Sequence, residues 1–507
     1  MSGKELLLSI DAGTGGGRAV VFDIKGEIKA RAYRAWTYFT PEGLEMVYGQ
    51  EFDPEEYWNL LCECIREVTS QVDKKAIRAV SSTSMREGCI FLDKEGNYLY
   101  AGPNRDVRGI LYSSEVEELI GEERAYSITG RWPPWIFVPS RLRWFKEEKP
   151  DIYERIDRIL MINDWILYML SGQAVGEPTN ASETMLYDIK EKRWSGELLK
   201  LIELDPRTLP RVARAGEVIG EVTAKAGDMT GIPRGTPVVV GGADSQAALV
   251  ACGQTRPGQL GLIAGTTIPI MMSYDQPFLD PGQQLWTHCH MFDDLWIIES
   301  QGGDAGKILR GYVEGHFGAA GAPVEGRYDK LIQLAEKIPP GSGGARAFLG
   351  CMIWNLRQVN PNKPGAILFP YPVEDESAGP GNVGRAILEA IAYSGKGNMD
   401  QIKKVTGKDP ESVALSGGLT RIPLFNKIAA SVLNRACKVS ACLEATALGT
   451  AMAASVGAGI HPDLKAASLA MARFGPEVEP DQDWAEEYES SYDVWRENYD
   501  FFETKWE

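Results

Sequence analysis

LLLSIDAGTGGGRAVVFD, residues 6–23, decides the fold. Two apolar runs, Leu6–Ile10 and Ala19–Phe22, flank a glycine-rich turn, and short apolar runs bounded by glycine read as strands. Lys25-Gly26-Glu27 then turns the chain into a third strand. The result is a β-meander, distinct from the strand-to-helix phosphate loop whose signature ends in Gly-Lys-Ser/Thr. Outward from it, PEEYWNLLCECIREVTSQV (54–72) has helical periodicity and IRAVSSTS (77–84) reads as another apolar strand. A probable helix lies near INDWILYMLSG (162–172).

The pattern restarts at TPVVVGGADSQAALVACG (236–253), and GQLGLIAGTTIPIMMS (258–273) gives two more strands around a Gly-Thr turn. A strand–Gly/Thr turn–strand unit therefore occurs once in each half. This weak internal repeat predicts two related α/β domains, residues 1–245 and 246–507, with a cleft between them. Residues 338–348 and 360–381 are loop-rich, and 483–507 read as a charged amphipathic helix.

The 507 residues suit two large domains or three small ones. With 44% hydrophobic and 24% charged residues, the chain can bury a full core. A formal net charge of -17 argues against DNA, RNA and anionic lipid as partners. It does not exclude nucleotides, whose phosphates are held locally, often by backbone N–H groups. The first residues show no secretory signal, and no run of about 18 apolar residues is present. Eight scattered cysteines fit reduced thiols, so a cytoplasmic protein is expected. Cys62 and Cys64 stand two apart on a helix and do not face each other, which disfavours a metal there. His288 and His290 would share one strand face, but no third ligand stands at a recognised spacing, so packed or surface histidines are favoured over zinc.

Four motifs carry the chemistry. In Asp11-Ala12-Gly13-Thr14-Gly15-Gly16-Gly17-Arg18 the glycines let backbone N–H groups approach a phosphate, Thr14 adds a hydroxyl and Arg18 a fixed cation. Asp11 could hold magnesium through water. In Gly241-Gly242-Ala243-Asp244-Ser245-Gln246 a buried strand ends at a carboxylate, where a helix N-cap and a catalytic carboxylate read equally well. Gly265-Thr266-Thr267 and Leu415-Ser416-Gly417-Gly418 complete the set. Each alone reads as an ordinary turn; the ordered set of four is much harder to obtain by chance.

That set resembles the FGGY carbohydrate kinase family, within the actin/hexokinase/heat-shock-chaperone superfamily. DAGTGGGR is similar to the family's first phosphate loop, GGADSQ to its catalytic-aspartate segment and AGTT to its second phosphate loop. Residues 415–454, ending in Glu-Ala-Thr-Ala-Leu-Gly and a small-residue helix, resemble its adenosine-side signature, and residues 162–195 its central segment. The resemblance implies two actin/hexokinase-like (ribonuclease H-like) domains and an ATP- and Mg2+-dependent transfer of phosphate to a sugar-like hydroxyl. ATP would bind mainly to the carboxyl-terminal domain and the substrate to the amino-terminal one. Asp244 would be the general base. Gly13, Thr14, Gly15 and Arg18 would hold phosphates with Gly265, Thr266 and Thr267. Gly303 and Lys307 would meet nucleotide, and Gly417 and Gly418 would flank adenine. Asp11 and Asp244 would position the metal. Arg86, Glu87, Asp106, Asp244 and Gln246 would meet the substrate. A homodimer is left open.

Within the family, SSTSMREGCIFLD (81–93) lacks the Met-His-Gly of xylulokinases. Arg86-Glu87 is the pair that glycerol kinases carry here, yet Ser-Met-Arg-Glu-Gly followed by Asn104-Arg105-Asp106-Val107-Arg108 most resembles the autoinducer-2 (quorum-signal) kinase branch. The implied substrate is linear, hydrated dihydroxypentanedione, with xylulose or another ketose or polyol, glycerol included, as the alternative. Arg86 would offer a donor fork and Glu87 and Asp106 would accept from hydroxyls; a plain surface ion pair is the competing reading. Two departures weaken any firm choice of sugar: the Gly-Glu-Arg-x-Pro segment reads GGARAFLGCMIWNLRQ (343–358), and Trp-x-Asp reads Asn104-Arg105-Asp106. Trp132 and Trp135 would wall the pocket or anchor a loop. A DNA-binding regulator has no room before the first strand, and a chaperone's peptide-binding domain does not fit after Gly417. A non-catalytic sugar-binding scaffold is harder to separate from an enzyme, but Asp244 and both phosphate turns are intact.

Overall fold

The computed structural model describes residues 5–318, 324–358, 365–372 and 377–505. Of the loop-rich stretch 360–381, residues 360–364 and 373–376 lie outside these, as do residues 1–4 at the start.

The meander forms as read. β1 (Leu6–Gly13) pairs antiparallel with β2 (Gly16–Asp23), and β2 with β3 (Ile28–Ala35). The strands run further into the glycine motif than the apolar pattern indicates. Asp11 stands opposite Arg18 and Gly13 opposite Gly16, so the turn shrinks to Thr14-Gly15. The reason is packing: a Cβ on Gly16 would sit 2.4 Å from the Arg34 carbonyl oxygen, and one on Gly17 2.5 Å from Leu61. Glycine there lets the neighbouring strand and helix approach. That helix, α1 (Pro54–Ser70), opens on proline, and the Asp53 carboxylate accepts from the Glu55 and Glu56 N–H groups. The buried Cys62 and Cys64 belong to the core beneath the first sheet.

β4 (Ile77–Ser84) lies parallel to β1. β5 (Val218–Glu221) and β6 (Pro237–Ala243) complete a six-stranded sheet in the order β5-β6-β4-β1-β2-β3. α2 (Ile162–Ser171) and α1 cover one face of it. α3 (Asp244–Ala251) leads to β7 (Gln259–Ile263), β8 (Thr267–Tyr274), β9 (Trp286–Cys289) and β10 (Trp296–Asp304). After α4 (Pro380–Thr406) come β11 (Ser412–Ser416), α5 (Pro423–Leu433) and β12 (Cys437–Val439). The second sheet has the order β9-β10-β8-β7-β11-β12. The repeat seen in the sequence is a repeat of topology. β1 has an antiparallel neighbour, β2, and a parallel one, β4; β7 likewise has β8 and β11. Parallel pairs β4–β6 and β11–β12 extend both sheets. This is the α/β architecture of two sheet-containing domains. The terminal helix is α7 (Gln482–Lys505), whose Tyr488, Tyr492 and Trp495 enter the second domain's core.

Two alanine-rich helices lie between the sheets. α6 (Ala445–Gly457) follows the second sheet in sequence but packs on the first, with Ala447, Leu448 and Ala451 in one cluster with Leu7, Val20 and Ala79. α3 joins this cluster through Ala247, Ala248 and Ala251, while its Leu249 faces Met271 and Ile297 of the second sheet. Helices approach this closely only when the side chains at the crossing are small. At the crossing, a Cβ on Gly449 would lie 1.9 Å from the Ala247 carbonyl oxygen.

The crossing gives a stability prediction. Gly449→Val must push two helix backbones apart, and overpacking of this kind costs roughly 1–3 kcal/mol or more. Gly311, on the exposed face of the helix Gly306–Phe317, has nothing within 4 Å of an added Cβ, so Gly311→Ala should raise stability by about 0.5–1 kcal/mol through helix propensity. Thermal denaturation of the two variants should move in opposite directions; equal shifts would refute the close approach.

Candidate active site

The two hairpin turns and the two strand-to-helix turns lie at the cleft-facing strand ends. In the first hairpin the open glycines are Gly13 and Gly15, whose added Cβ atoms would meet nothing closer than 3.7 and 3.9 Å. The turn is held from behind. Tyr38 donates to the Thr14 carbonyl at 2.6 Å, Tyr33 donates to the Gly15 carbonyl at 2.9 Å, and the Asn104 amide donates to the Thr14 hydroxyl at 3.1 Å. Arg18 reaches Asp11 at 3.5 Å and Glu444, the residue before α6, at 3.2 Å.

Across the cleft, three segments interlock by backbone. Ala305 and Gly306 donate to the carbonyls of Thr266 and Gly265, and Leu419 donates to that of Ala264. Gly417, at φ 98°, approaches Ala264 so closely that a Cβ would sit 2.5 Å from its carbonyl oxygen. Gly303, at φ 82°, meets the Gly350 carbonyl in the same way. Gly265, Thr266, Thr267, Gly303, Lys307, Gly417 and Gly418 are thus gathered on one side. Thr266 and Thr267 are exposed, Gly418 has open space around it, and Lys307 pairs with Asp304 at 3.3 Å.

Asp244 is the first residue of α3. Ala243 is the N-cap, so Asp244 stands one residue inside the helix start. One oxygen, Oδ1, accepts from the Ser245 N–H at 2.7 Å and the Ser245 hydroxyl at 3.1 Å. Burial raises the Asp244 pKa, while the Arg86 charge and the Ser245 bonds pull it partly back. Asp11 is buried on β1 and pushed up to about 6. Loss of water is the main cause, Arg18 offsets part of it, and the charges of Asp244 and Glu444 add to it. Asp11 Oδ1 has no hydrogen-bond partner among the described residues. Two carboxylates close enough to feel each other, one with an orphaned oxygen, form a donor set that suits a hard divalent cation such as Mg2+.

The substrate-side residues are placed less simply. Arg86 follows β4, and its guanidinium fork is closed on Glu299 of β10, at 2.5 and 2.8 Å. Its two outer edges, and not the fork, face other groups. Glu299 also meets His288 of β9 at 2.7 Å and the Gln301 amide at 2.5 Å. Burial pushes the Glu299 carboxyl up, but Arg86 and His288 outweigh it and hold it well below the usual range. Gln246 donates to His288 Nδ1 at 2.8 Å, which places the ring proton on Nε2 facing Glu299. Glu183 pairs with Arg131, and lies 3.6 Å from both Arg86 and His288. His288 and His290 thus do different work: His288 joins this network, and His290 stacks on Phe292 with centroids 4.8 Å apart.

Glu87 sits beside the network at φ 57°, and burial pushes its carboxyl up to about 8. Asp106, expected to accept from substrate, is fully buried and accepts from Tyr100, from Arg108 at 2.9 Å and from the Gln50 N–H at 3.2 Å. It acts one layer back: Arg141 donates to the Asp106, Pro103 and Glu87 carbonyls, fixing the strained Glu87 backbone. Trp132 is a packed anchor whose carbonyl accepts from Trp286 at 2.9 Å. The sequence reading missed Glu299, Glu183 and Arg131. The usable signal for Glu299 was a lone carboxylate inside the apolar strand WIIES.

Comparison with known proteins agrees with this geometry. Residues 6–251 match the amino-terminal domain of the FGGY family of carbohydrate kinases, and residues 260–458 its carboxyl-terminal domain. The chain belongs to the FGGY family of carbohydrate kinases. It is 30% identical over 503 residues to the autoinducer-2 kinase of Salmonella typhimurium, covering 97% of this chain and 94% of that protein. Among solved structures, it resembles the xylulose kinase of Rhodospirillum rubrum at 25% identity and TM-score 0.84, covering 98% of this chain and all of that one. It shares the fold of the gluconate kinase of Lactobacillus acidophilus at 19% identity and TM-score 0.85, covering 99% of both. The protein is an ATP-dependent sugar kinase.

The raised Asp11 carboxyl predicts a pH dependence. The folded state binds its proton more tightly than the unfolded chain, so the associated stability is complete below about pH 4 and lost as pH rises through about 6. Asp11→Asn should therefore stabilise metal-free protein above pH 6 by up to about 3 kcal/mol, and the gain should vanish near pH 4. Denaturation across that range in chelator checks this; a gain independent of pH would refute it.

Proposed function

We propose that Asp244 is the general base and that the acceptor is linear, hydrated dihydroxypentanedione. The observation that carries the catalytic assignment is the place of Asp244, directly after β6 at the first position of α3, with Oδ1 bonded to Ser245 and no hydrogen bond at Oδ2 among the described residues. A carboxylate there can take the proton of an acceptor hydroxyl as its oxygen bonds to the γ-phosphorus and the bond to the β-phosphate oxygen breaks, releasing ADP. Its raised pKa brings it nearer the operating pH, which suits a general base. Thr14, Gly15 and Arg18 from one side and Thr266 from the other hold the phosphates, with Gly303, Lys307, Gly417 and Gly418 around the nucleotide. Asp11 and Asp244 would hold Mg2+, which would supply positive charge against the charge developing on the phosphates. Closure of the cleft keeps water from competing as acceptor.

The acceptor is met by Arg86, Glu87, Gln246 and Asp244. What supports the quorum-signal precursor is the whole-length similarity to an autoinducer-2 kinase together with Arg86-Glu87 in place of Met-His-Gly. The alternative is xylulose or another ketose or polyol, which the likeness to a xylulose kinase favours.

Purified protein with saturating ATP and magnesium, in a coupled ADP assay, should show higher kcat/KM for dihydroxypentanedione than for xylulose or glycerol. A preference for either of those would overturn the substrate assignment alone. Asp244→Asn should lower turnover about 100- to 10,000-fold, with ATP affinity by calorimetry close to normal. Near-normal turnover would remove Asp244 from the base role.

A further inference from the structure

We propose that the acceptor pocket is built for an uncharged polyhydroxy molecule and rejects sugar acids, and that Glu299, contributed by the second domain, sets this selection. The inference rests on the kinase reading of the cleft and names the class of molecule it accepts. Two guanidiniums are buried there, Arg86 and Arg131. A pocket for a sugar acid would need one of them free, because a buried carboxylate without a counter-cation is costly. Neither is free. Arg86 spends its fork on Glu299, and Arg131 pairs with the fully buried Glu183 while its guanidinium lies 4.6 Å over the Trp286 ring.

The charges therefore cancel before any acceptor arrives: two cations against Glu183 and Glu299. The next guanidinium, Arg141, is committed to backbone carbonyls and lies 3.9 Å from Asp106. Burial disfavours a charge on the His288 ring and raises the Glu87 carboxyl, so neither adds a full opposing charge cheaply. Asp244 adds negative charge beside the pocket. What remains suits hydroxyls and hydrated carbonyls. Gln246 gives its amide N–H to His288, and its carbonyl oxygen is buried with no partner among the described residues. The outer N–H bonds of Arg86 can donate, and Asp244 can accept.

Glu299 is the decisive partner because it is fully committed. Each oxygen accepts one Arg86 bond; Gln301 adds a second at Oε1, and His288 Nε2 lies 2.7 Å from Oε2. Removing its charge while keeping its shape leaves Arg86 and Arg131 to share Glu183, so one positive charge is left over facing the acceptor. A carboxylate-bearing acceptor would then gain a charge-assisted hydrogen bond.

The test compares full-length wild type with Glu299→Gln and Glu299→Asp, using xylulose and D-gluconate as probes, by kcat/KM and by ligand-induced shift in Tm. Wild type should respond to xylulose and not to gluconate. Glu299→Gln should raise the gluconate-to-xylulose ratio at least tenfold, the scale of a hydrogen bond to a charged group, and should gain a gluconate-induced Tm shift. Glu299→Asp, which keeps the charge, should still reject gluconate. Wild type handling gluconate within tenfold of xylulose would overturn the class assignment with no variant needed. An unchanged ratio in Glu299→Gln would overturn the role of Glu299. If wild type phosphorylates no acceptor, the kinase reading of the pocket fails, and the gluconate Tm shift still decides the charge argument on its own.

Discussion

Everything in the cleft depends on two helices crossing at backbone contact. With Gly449 against Ala247, α3 and α6 fill the space between the two sheets. A side chain larger than alanine at this point would separate the sheets that carry the two halves of the site. The same crossing sets where the helices begin. Asp244 opens α3 and Glu444 precedes α6, so both carboxylates stand at the cleft. The small-residue composition of DSQAALVA and ATALGTAMAASVG follows from that geometry more than from helix propensity.

The halves are also joined by charge at both ends of the cleft. On the phosphate side Glu444 holds Arg18, with Arg31 at 3.6 Å; on the acceptor side Glu299 holds Arg86. These pairs have different exposures. Arg18 is about one-third exposed, so its bridge is screened and easily exchanged for a ligand phosphate, with Arg31 left to answer Glu444. The Arg86–Glu299 pair is buried, and breaking one partner would leave an uncompensated charge. Exchange is therefore cheap where a highly charged nucleotide must come and go, and expensive where the pocket's charge has to stay fixed.

Much of the fold was legible because it is local. The meander, the helices at 54–70 and 162–171, and the restart at Pro237 follow from periodicity and glycine placement alone. The repeat was legible as a repeated Gly/Thr turn, and its topology could only be seen once strands 150 or more residues apart were paired. At the candidate site, Asp11, Asp244 and the glycine turns could be nominated from sequence because they sit on strand ends next to their own motif. Glu299, Glu183 and Arg131 were not, since their meaning lies in partners between about 50 and 210 residues away in the chain. Asp106 fails for the opposite reason. Its polar neighbours in the sequence suggest an open site, yet Tyr100 and Arg108, both within six residues, consume the carboxylate.

A rigid frame is what allows the cleft to hold groups that weaken it. Asp11, Asp244 and Glu87 are all carboxyls raised by burial, so each disfavours the folded state once ionised. Glu87 adds a left-handed backbone that costs roughly 1–3 kcal/mol in a residue other than glycine. The support is visible directly behind them. Arg141, with none of its side chain exposed, ties three carbonyls together, including that of Glu87, and Asp106 anchors the same loop through Arg108. The residues proposed for chemistry are thus the locally unfavourable ones. The residues that resemble them in type but are fully satisfied, Asp106 above all, form the scaffold that keeps them in place.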